Sequence, residues 1–229
     1  MFQDQAEQYS AKFYFNESLG SIIPVLKSRY FYLGLFALVA GAGLNFASET
    51  YLHNYMIEGK SLPMLSDLIL DNLPYMDISF IYDIFCIFPV MLLLIYIVHR
   101  KEYDRLPLFL LMIGIFYIVR GIFIVLTPFG NPPLFNGTDS IFKGFSKFEL
   151  GVYPSGHTGN VFMIFLLVKD KIYKRLILFC LVVIIAALFL ARSHYSIDVL
   201  SGLFFSYAIK SFGEKHLMMF DLGNRKRGP

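Results

Sequence analysis

Long apolar runs alternate with polar loops along this 229-residue chain. Each run is continuously hydrophobic, and about 20 such residues in a helix cross the hydrocarbon core of a bilayer. The predicted spans cover residues 30–48, 80–98, 107–126, 157–169, 175–191 and 195–212. The fourth run reaches a spanning length only if its helix begins near Ser155. The pattern therefore predicts an all-α, multi-pass membrane protein with six transmembrane helices.

The composition supports a membrane protein with one domain. Hydrophobic residues make up 56% of the chain, whereas soluble domains contain about 45–50%. The net charge of +3 is too small to indicate a nucleic-acid partner. We expect a single integral membrane domain over 1–229, with a cytoplasmic or interfacial segment 1–28, a six-helix core 30–212 and a basic cytoplasmic tail 213–229.

The positions of lysine and arginine predict the orientation of the helices. Most of the 20 Lys and Arg residues fall before the first span, after the second and fourth spans, and after the sixth. By the positive-inside rule, these loops and both termini are cytoplasmic. The loops around 49–79, 127–156 and 192–194 then face the periplasmic, extracellular or luminal side. Two histidine-containing segments lie on that non-cytoplasmic face.

Two further patterns bear on packing. Gly34, Gly41 and Gly43 in the first span either let a second helix approach closely or are simply tolerated in a membrane helix. The segment 61–74 has apolar residues at 62, 65, 68 and 69. We expect this segment to lie in the membrane interface as an amphipathic piece.

The segment from Arg192 to Asp198 places His194 and Asp198 four residues apart, so that on a helix they share one face. A carboxylate there can fix the imidazole tautomer and stabilise the positive ring, which leaves the other nitrogen as a nucleophile. Attack on phosphorus would form a phosphohistidine. The alternative is a pair that only ties two spans together.

A second histidine follows a turn of small residues, Pro154-Ser155-Gly156-His157. Ser155 is a plausible helix N-cap and Gly156 permits close backbone approach, so the helix start favours a phosphate. His157 could protonate a leaving oxygen and then accept a proton from the incoming nucleophile. The alternative is an ordinary helix cap with an incidental histidine.

Two arginines can supply the positive charge that a phosphoryl group requires. Arg120 lies inside the third span, where an unpaired guanidinium is costly, so we expect it to meet a carboxylate or a ligand phosphate. Arg192 lies two residues before His194. For each arginine the alternative is a side chain that extends to the membrane interface. The sequence contains no zinc-type spacing or P-loop, and we expect neither a metal nor a cofactor.

These residues resemble the motifs of the type 2 phosphatidic acid phosphatase (PAP2) superfamily, and more narrowly its branch of sphingomyelin and inositol phosphorylceramide synthases. The segment ending at His157 matches the central motif, and His194-Tyr195-Ser196-Ile197-Asp198 is close to the HYTxD motif of the synthases. Arg120 with Thr127-Pro128 resembles their arginine motif. Leu73-Pro74 with Asp77 resembles their Pro-Leu-Pro-Asp motif.

Three positions depart from the family patterns. Ile113 stands where the phosphatases usually have Lys, and Arg192 precedes His194 by two residues rather than six. Both differences favour the synthase-like branch, although the second weakens the phosphate role of Arg192. Glu149-Leu150-Gly151-Val152-Tyr153-Pro154 stands where the synthases usually carry Cys-Gly-Asp, so their head-group specificity does not transfer.

The resemblance implies a catalytic triad of His194 as nucleophile, Asp198 as its orienting carboxylate and His157 as general acid and then base. It also implies that Arg120, Ser155 and Gly156 hold the phosphate, with Arg192 and Asp77 as further substrate-binding candidates.

We therefore expect a lipid phosphotransferase. It would move a phospho-head group from a phospholipid donor to the hydroxyl of a lipid acceptor such as ceramide or diacylglycerol. The alternative is a PAP2-type lipid phosphatase that uses the same triad and water. A binding or transport protein with an inactive site is a third possibility, disfavoured because all three triad residues are present. The expected partners are the two lipids and the bilayer.

Overall fold

The computed structural model describes residues 20–134 and 153–226. Most of the predicted N-terminal segment 1–28, the motif departure at 149–152 and the last three residues of the tail lie outside the described residues. Within the described ranges the chain forms helices, turns and loops and contains no strand. This agrees with the predicted all-α class.

Each of the six predicted spans corresponds to a helix. The chain begins with α1, described over 20–26. The remaining helices are α2 (Arg29–Ile57), α3 (Leu68–Asp71), α4 (Ser79–His99), α5 (Leu106–Leu126), α6 (Gly156–Leu167), α7 (Lys171–Leu190), α8 (Ser196–His216) and α9 (Leu222–Lys226).

Four helical stretches are long and apolar enough to cross a membrane: α2, α4, Tyr103–Leu126 and α7. Large apolar side chains on them are exposed, as expected for surfaces that face lipid, for example Phe36, Val39, Phe88, Val98, Leu126 and Phe179. By contrast, α6 has only 12 residues, and the 21 residues of α8 include several charged positions. The chain therefore has the character of a membrane protein, while six spans with cytoplasmic termini stay a prediction.

Glycines bring α2 and α5 into close contact. A Cβ added at Gly34 would lie 2.6 Å from the carbonyl oxygen of Pro107, and one added at Gly41 would lie 2.7 Å from that of Gly114. These distances are too short for any larger residue without a shift of the backbone. A Cβ at Gly43 meets no atom within 4 Å. The close-approach interpretation therefore holds for Gly34 and Gly41, whereas Gly43 is merely tolerated.

Replacing Gly41 with alanine should destabilise the protein, because the added methyl group forces α2 away from the backbone of α5. Overpacking of this kind typically costs about 1–3 kcal/mol. The measurement is the thermal unfolding midpoint of purified protein in detergent. Gly43→Ala is the matched control, since it makes the same change two residues away with no steric conflict. Equal midpoints for the two variants would contradict the close contact.

The short helix α6 lies in the middle of the bundle, where α4, α5, α7 and α8 pack around it. Its residues Val161, Met163 and Ile164 are fully buried. The hydroxyl of Ser206 on α8 donates to the carbonyl oxygen of Gly159 at 2.7 Å. Because α6 and α8 each begin with a histidine motif, their packing brings the two motifs together.

The chain after α8 is folded against the cytoplasmic-side loops predicted from charge. Phe220 and Asp221 are buried, and Asp221 Oδ2 lies 3.5 Å from the Nε of buried Arg105. The same guanidinium donates to the carbonyl oxygen of Leu167 at the end of α6, at 3.0 Å. The first part of the predicted tail therefore packs on the helical core.

Candidate active site

His194 and Asp198 are in contact in the turn between α7 and α8. His194 Nδ1 lies 3.3 Å from Asp198 Oδ2, and both side chains are almost fully buried, at 5% and 0% exposure. The same carboxylate oxygen accepts the Tyr195 N–H at 2.8 Å. The arrangement leaves the Nε2 atom of His194 on the side away from the carboxylate.

The sequence expectation that this pair shares one face of a helix needs correction. α8 begins at Ser196, so His194 lies in the preceding turn and only Asp198 is helical. The carboxylate reaches back over the helix start, where N–H groups lack helical partners and favour an acceptor. The contact therefore arises from capping of α8 rather than from helical spacing.

His157 lies in the first turn of α6, beside His194. Ser155 precedes the helix, and its hydroxyl accepts the Thr158 N–H at 3.3 Å as an N-cap. The two histidine rings have centroids 5.8 Å apart at an angle of 68°. A single bound group of phosphate size could therefore contact both rings.

Two residues of α4 contact His157 on its other side. Its ring lies edge-on to Tyr82, with centroids 5.1 Å apart, and its Nε2 lies 3.9 Å from Oδ1 of buried Asp83. That distance is within ion-pair range but too long for a hydrogen bond. Tyr82 also accepts a hydrogen bond from Ser193, next to His194, at 3.0 Å. Both histidine segments thus pack on the beginning of α4.

Backbone contacts set the relative position of the two motifs. The Ser155 N–H donates to the carbonyl oxygen of Asp198 at 3.0 Å. A Cβ at Gly202 would lie 2.8 Å from the carbonyl oxygen of Ser155. Glycine at 202 therefore lets the start of α6 lie directly against α8, with His157 and His194 adjacent.

Arg120 lies next to the start of α6 and is 12% exposed. Its Nε donates to the carbonyl oxygen of Pro154 at 3.1 Å, and its Nη1 donates to Asn45 at 2.5 Å and lies 3.4 Å from the carboxylate of Glu49. A Cβ at Gly156 would lie 3.0 Å from the Arg120 Nε. Arg120 therefore meets a carboxylate, as predicted, and lies against the motif rather than extending to the interface.

The structure places Arg192 against the loop before α4 and Asp77 within that loop. The Nη2 of Arg192 donates to the carbonyl oxygens of Leu70 and Leu73 at 2.8 and 3.1 Å, which ties the loop before α4 to the turn that carries His194. Asp77 is exposed in that same loop. Over 20–134 and 153–226, its carboxylate has no hydrogen bond or ion pair with the histidines or arginines of the site.

Three partners of the site residues were missed by sequence reasoning. Nothing in the sequence paired Asp83 with His157. Asn45 and Glu49 were not singled out, although with Ser48 they form a polar set at helical spacing inside an apolar run. That spacing was a usable signal, because such a set must face a polar partner. All three are buried.

Sequence reasoning also missed Asp67, whose carboxylate accepts hydrogen bonds at the starts of two helices. Its Oδ1 accepts the N–H groups of Ile69 and Leu70, and its Oδ2 accepts the Ser196 N–H at the start of α8. Burial acts to raise the pKa of Asp67, but the hydrogen bonds from Ser196, Leu70 and Ile69 outweigh it and lower the pKa below its ordinary value. The carboxylate is therefore ionised at neutral pH.

Comparison with known proteins bears on this same region. Residues 153–215 match the family model described as "PAP2 superfamily C-terminal". The matched stretch runs from just before Ser155 to the end of α8 and includes His157, His194 and Asp198. It supports a phosphatase-type enzyme with a lipid-related function. A search of curated proteins found no match for the chain.

Proposed function

We propose that the chain is a multi-pass membrane enzyme that transfers a phospho-head group from a phospholipid donor to a lipid hydroxyl, such as that of ceramide or diacylglycerol. The active site would lie on the non-cytoplasmic face. The observation that carries the proposal is that His157 lies beside the buried pair of His194 and Asp198, with Asp198 against the Nδ1 of His194. The family match covers both motifs and supports a phosphatase-type, lipid-related enzyme, the class to which either reaction would belong.

In the first half-reaction, the Nε2 of His194 attacks the donor phosphorus. A P–N bond forms as the bond between phosphorus and the donor lipid oxygen breaks. His157 gives its proton to that leaving oxygen, and Asp198 stabilises the positive imidazole. The products are the donor's alcohol and a head group held on His194 as a phosphohistidine.

In the second half-reaction, the acceptor hydroxyl attacks the phosphohistidine. His157, now neutral, takes the hydroxyl proton, the new P–O bond forms and the P–N bond to His194 breaks. The enzyme returns to its starting protonation state. No cofactor is required, because the imidazole is the nucleophile and the guanidinium of Arg120 stabilises the phosphate charge.

The phosphate would be bound at the start of α6. The helix start presents N–H groups that favour anions, and Ser155 and Gly156 let a ligand approach the backbone there. The guanidinium of Arg120 lies against the same turn. In this proposal Arg192 holds the loop instead of the phosphate, and Asp77 has no assigned role.

Hydrolysis is the second candidate function, and the phosphatase-type family match favours it directly. Water would then attack the phosphohistidine in place of the lipid hydroxyl. The same triad serves both reactions, so the two differ in whether the bound intermediate meets a lipid acceptor or water.

An acceptor test on purified protein in lipid vesicles separates the two functions. Labelled phospholipid donors are supplied with and without ceramide or diacylglycerol, and the released head group and any new lipid are followed. Under transfer, a new phospholipid forms only when acceptor is present, and it is absent with His157→Ala. Release of inorganic phosphate from phosphomonoester lipids, unaffected by acceptor, would establish the phosphatase instead.

Arg120→Lys should weaken donor binding and raise the donor KM by about tenfold, because an ammonium cannot reproduce the planar fork of a guanidinium. Steady-state kinetics with varied donor in mixed micelles measure this change. Arg100→Lys is the matched control, since Arg100 is partly exposed and pairs with Asp170, far along the chain from the histidine motifs. Unchanged kinetics in Arg120→Lys would limit Arg120 to a packing role.

A further inference from the structure

The turn that carries His194 is held against the 63–76 segment by contacts that the proposed chemistry does not use. The Leu65 N–H donates to the Tyr195 hydroxyl at 3.1 Å. The Met76 N–H donates to the carbonyl oxygen of Leu190 at 2.8 Å. Arg192 donates to the carbonyl oxygens of Leu70 and Leu73. The segment is thus attached at both of its ends and in its middle.

Asp67 joins this segment directly to α8. Its Oδ2 accepts the Ser196 N–H at 2.5 Å, while Oδ1 caps α3. Ser196 lies two residues after His194 and two before Asp198. One buried carboxylate therefore satisfies N–H groups at the starts of two helices, one of which carries Asp198.

Two adjacent amides at the start of α8 are each bound by a different carboxylate. The Tyr195 N–H donates to Asp198 and the Ser196 N–H donates to Asp67. If the second bond is lost, the first turn of α8 loses its carboxylate contact with the 63–76 segment, while the Asp198 carbonyl oxygen still accepts the Ser155 N–H. A shift of this turn would disturb the contact between Asp198 Oδ2 and His194 Nδ1, which are 3.3 Å apart.

We propose that Asp67 and Arg192 are positioning residues, which hold the His194 turn and the first turn of α8 in the geometry required for attack without touching substrate. This inference rests on the proposed function, in which His194 is the nucleophile. Asp67 acts on the helix start and Arg192 acts on the loop immediately before His194. Both do so by fixing the same 63–76 segment.

Asp67→Asn tests the proposal with little change in size. An asparagine has one terminal acceptor, so it cannot accept from both α3 and Ser196, and its NH₂ group would face an N–H. We expect kcat per folded enzyme to fall at least tenfold while the donor KM changes less than twofold. We also expect backbone hydrogen exchange in peptides covering 193–199 to accelerate at least tenfold, measured by mass spectrometry on the full chain.

Asp71→Asn is the matched control, because it removes a carboxylate from the same segment at an exposed position of α3. It should leave kcat, KM and exchange unchanged. Thermal unfolding midpoints for both variants are recorded, so that activity is compared at equal folded fraction. A purely structural role would lower the midpoint of Asp67→Asn while kcat per folded enzyme stays at the wild-type value, and that result would overturn the proposal.

Arg192 variants supply a second test that also distinguishes a phosphate-binding role. Arg192→Met should lower kcat with the donor KM unchanged, and Arg192→Lys should restore most of kcat, because an ammonium can donate to two carbonyl oxygens. In Asp67→Asn combined with Arg192→Met, the loss should be smaller than the product of the single losses, since both act on one contact. A raised donor KM in Arg192→Met with multiplicative losses would overturn the proposal and favour phosphate binding.

Turnover and hydrogen exchange, measured together, separate failure of this inference from failure of the proposed function. If wild-type protein turns over but Asp67→Asn matches Asp71→Asn, only the positioning role is wrong. If wild-type protein shows no turnover on any donor, the proposed function fails. Hydrogen exchange then tests the anchoring of α8 by itself, and unchanged exchange at 193–199 in Asp67→Asn would overturn that anchoring as well. If Asp67→Asn does not fold, Arg192→Met and Arg192→Lys carry the same test.

Discussion

Replacing His194 with alanine should abolish turnover, because the nitrogen that would bond phosphorus is removed. We expect a loss on the order of 10⁴-fold or more, as for removal of other catalytic nucleophiles and bases. The phosphoenzyme should disappear together with turnover. The measurement is a rapid quench with donor labelled at phosphorus, followed by detection of acid-labile, base-stable label on the protein.

The matched control is His216→Ala, which makes the same change at the opposite end of α8. His216 is exposed, and its ring lies 4.6 Å from that of Phe212. This variant should keep wild-type turnover and label. If His194→Ala retained activity or still trapped label, the nucleophile would be a different residue and the proposed mechanism would be wrong.

Asp198→Asn should leave the protein folded but slow the reaction by about 10³-fold. Asp198 Oδ2 contacts both the Tyr195 N–H and the Nδ1 of His194. The amide oxygen can take that place and accept from both groups, which preserves the start of α8 and the tautomer of His194. The positive ring that forms on attack, however, loses its neighbouring anion. Single-turnover rates of phosphoenzyme formation measure the effect.

Glu214→Gln is the control for Asp198→Asn. Glu214 is exposed on the same helix and pairs with Lys210, so loss of its charge should change neither rate nor unfolding midpoint. Wild-type rates in Asp198→Asn would reduce Asp198 to a capping residue of α8. A large fall in its unfolding midpoint would instead show that the anion mainly stabilises the helix start.

The helices were predictable because each depends on residues within one run. The apolar pattern predicted a helix for every observed element from α4 to α8 within a few residues. α2 extends to Ile57, nine residues beyond the predicted end at 48. Polar residues end an apolar run in the sequence, but here Ser48 and Glu49 are buried against other helices, so the helix continues.

The site was only partly predictable. The pairing of His194 with Asp198 was predictable from their separation of four residues, although α8 begins only at Ser196, after His194. Their contact with His157 depends on α6 and α8 packing closely at Gly202. No pattern within either motif specifies that packing. The phosphate-binding role of Arg192 stays a prediction, but nothing in its local sequence indicated that its guanidinium donates to backbone carbonyls more than 100 positions earlier.

The sequence by itself determined the helical class, the order of the helices and the two local motifs, because periodicity, capping and short spacings act between neighbours in the chain. Only the tertiary structure decided that Asp83 lies against His157, that Arg120 meets Glu49, and that Asp67 anchors the start of α8. Each of these contacts joins a buried carboxylate to a polar group on a different element. Burial makes such groups costly unless they are paired, but which pairs form depends on how closely the helices pack.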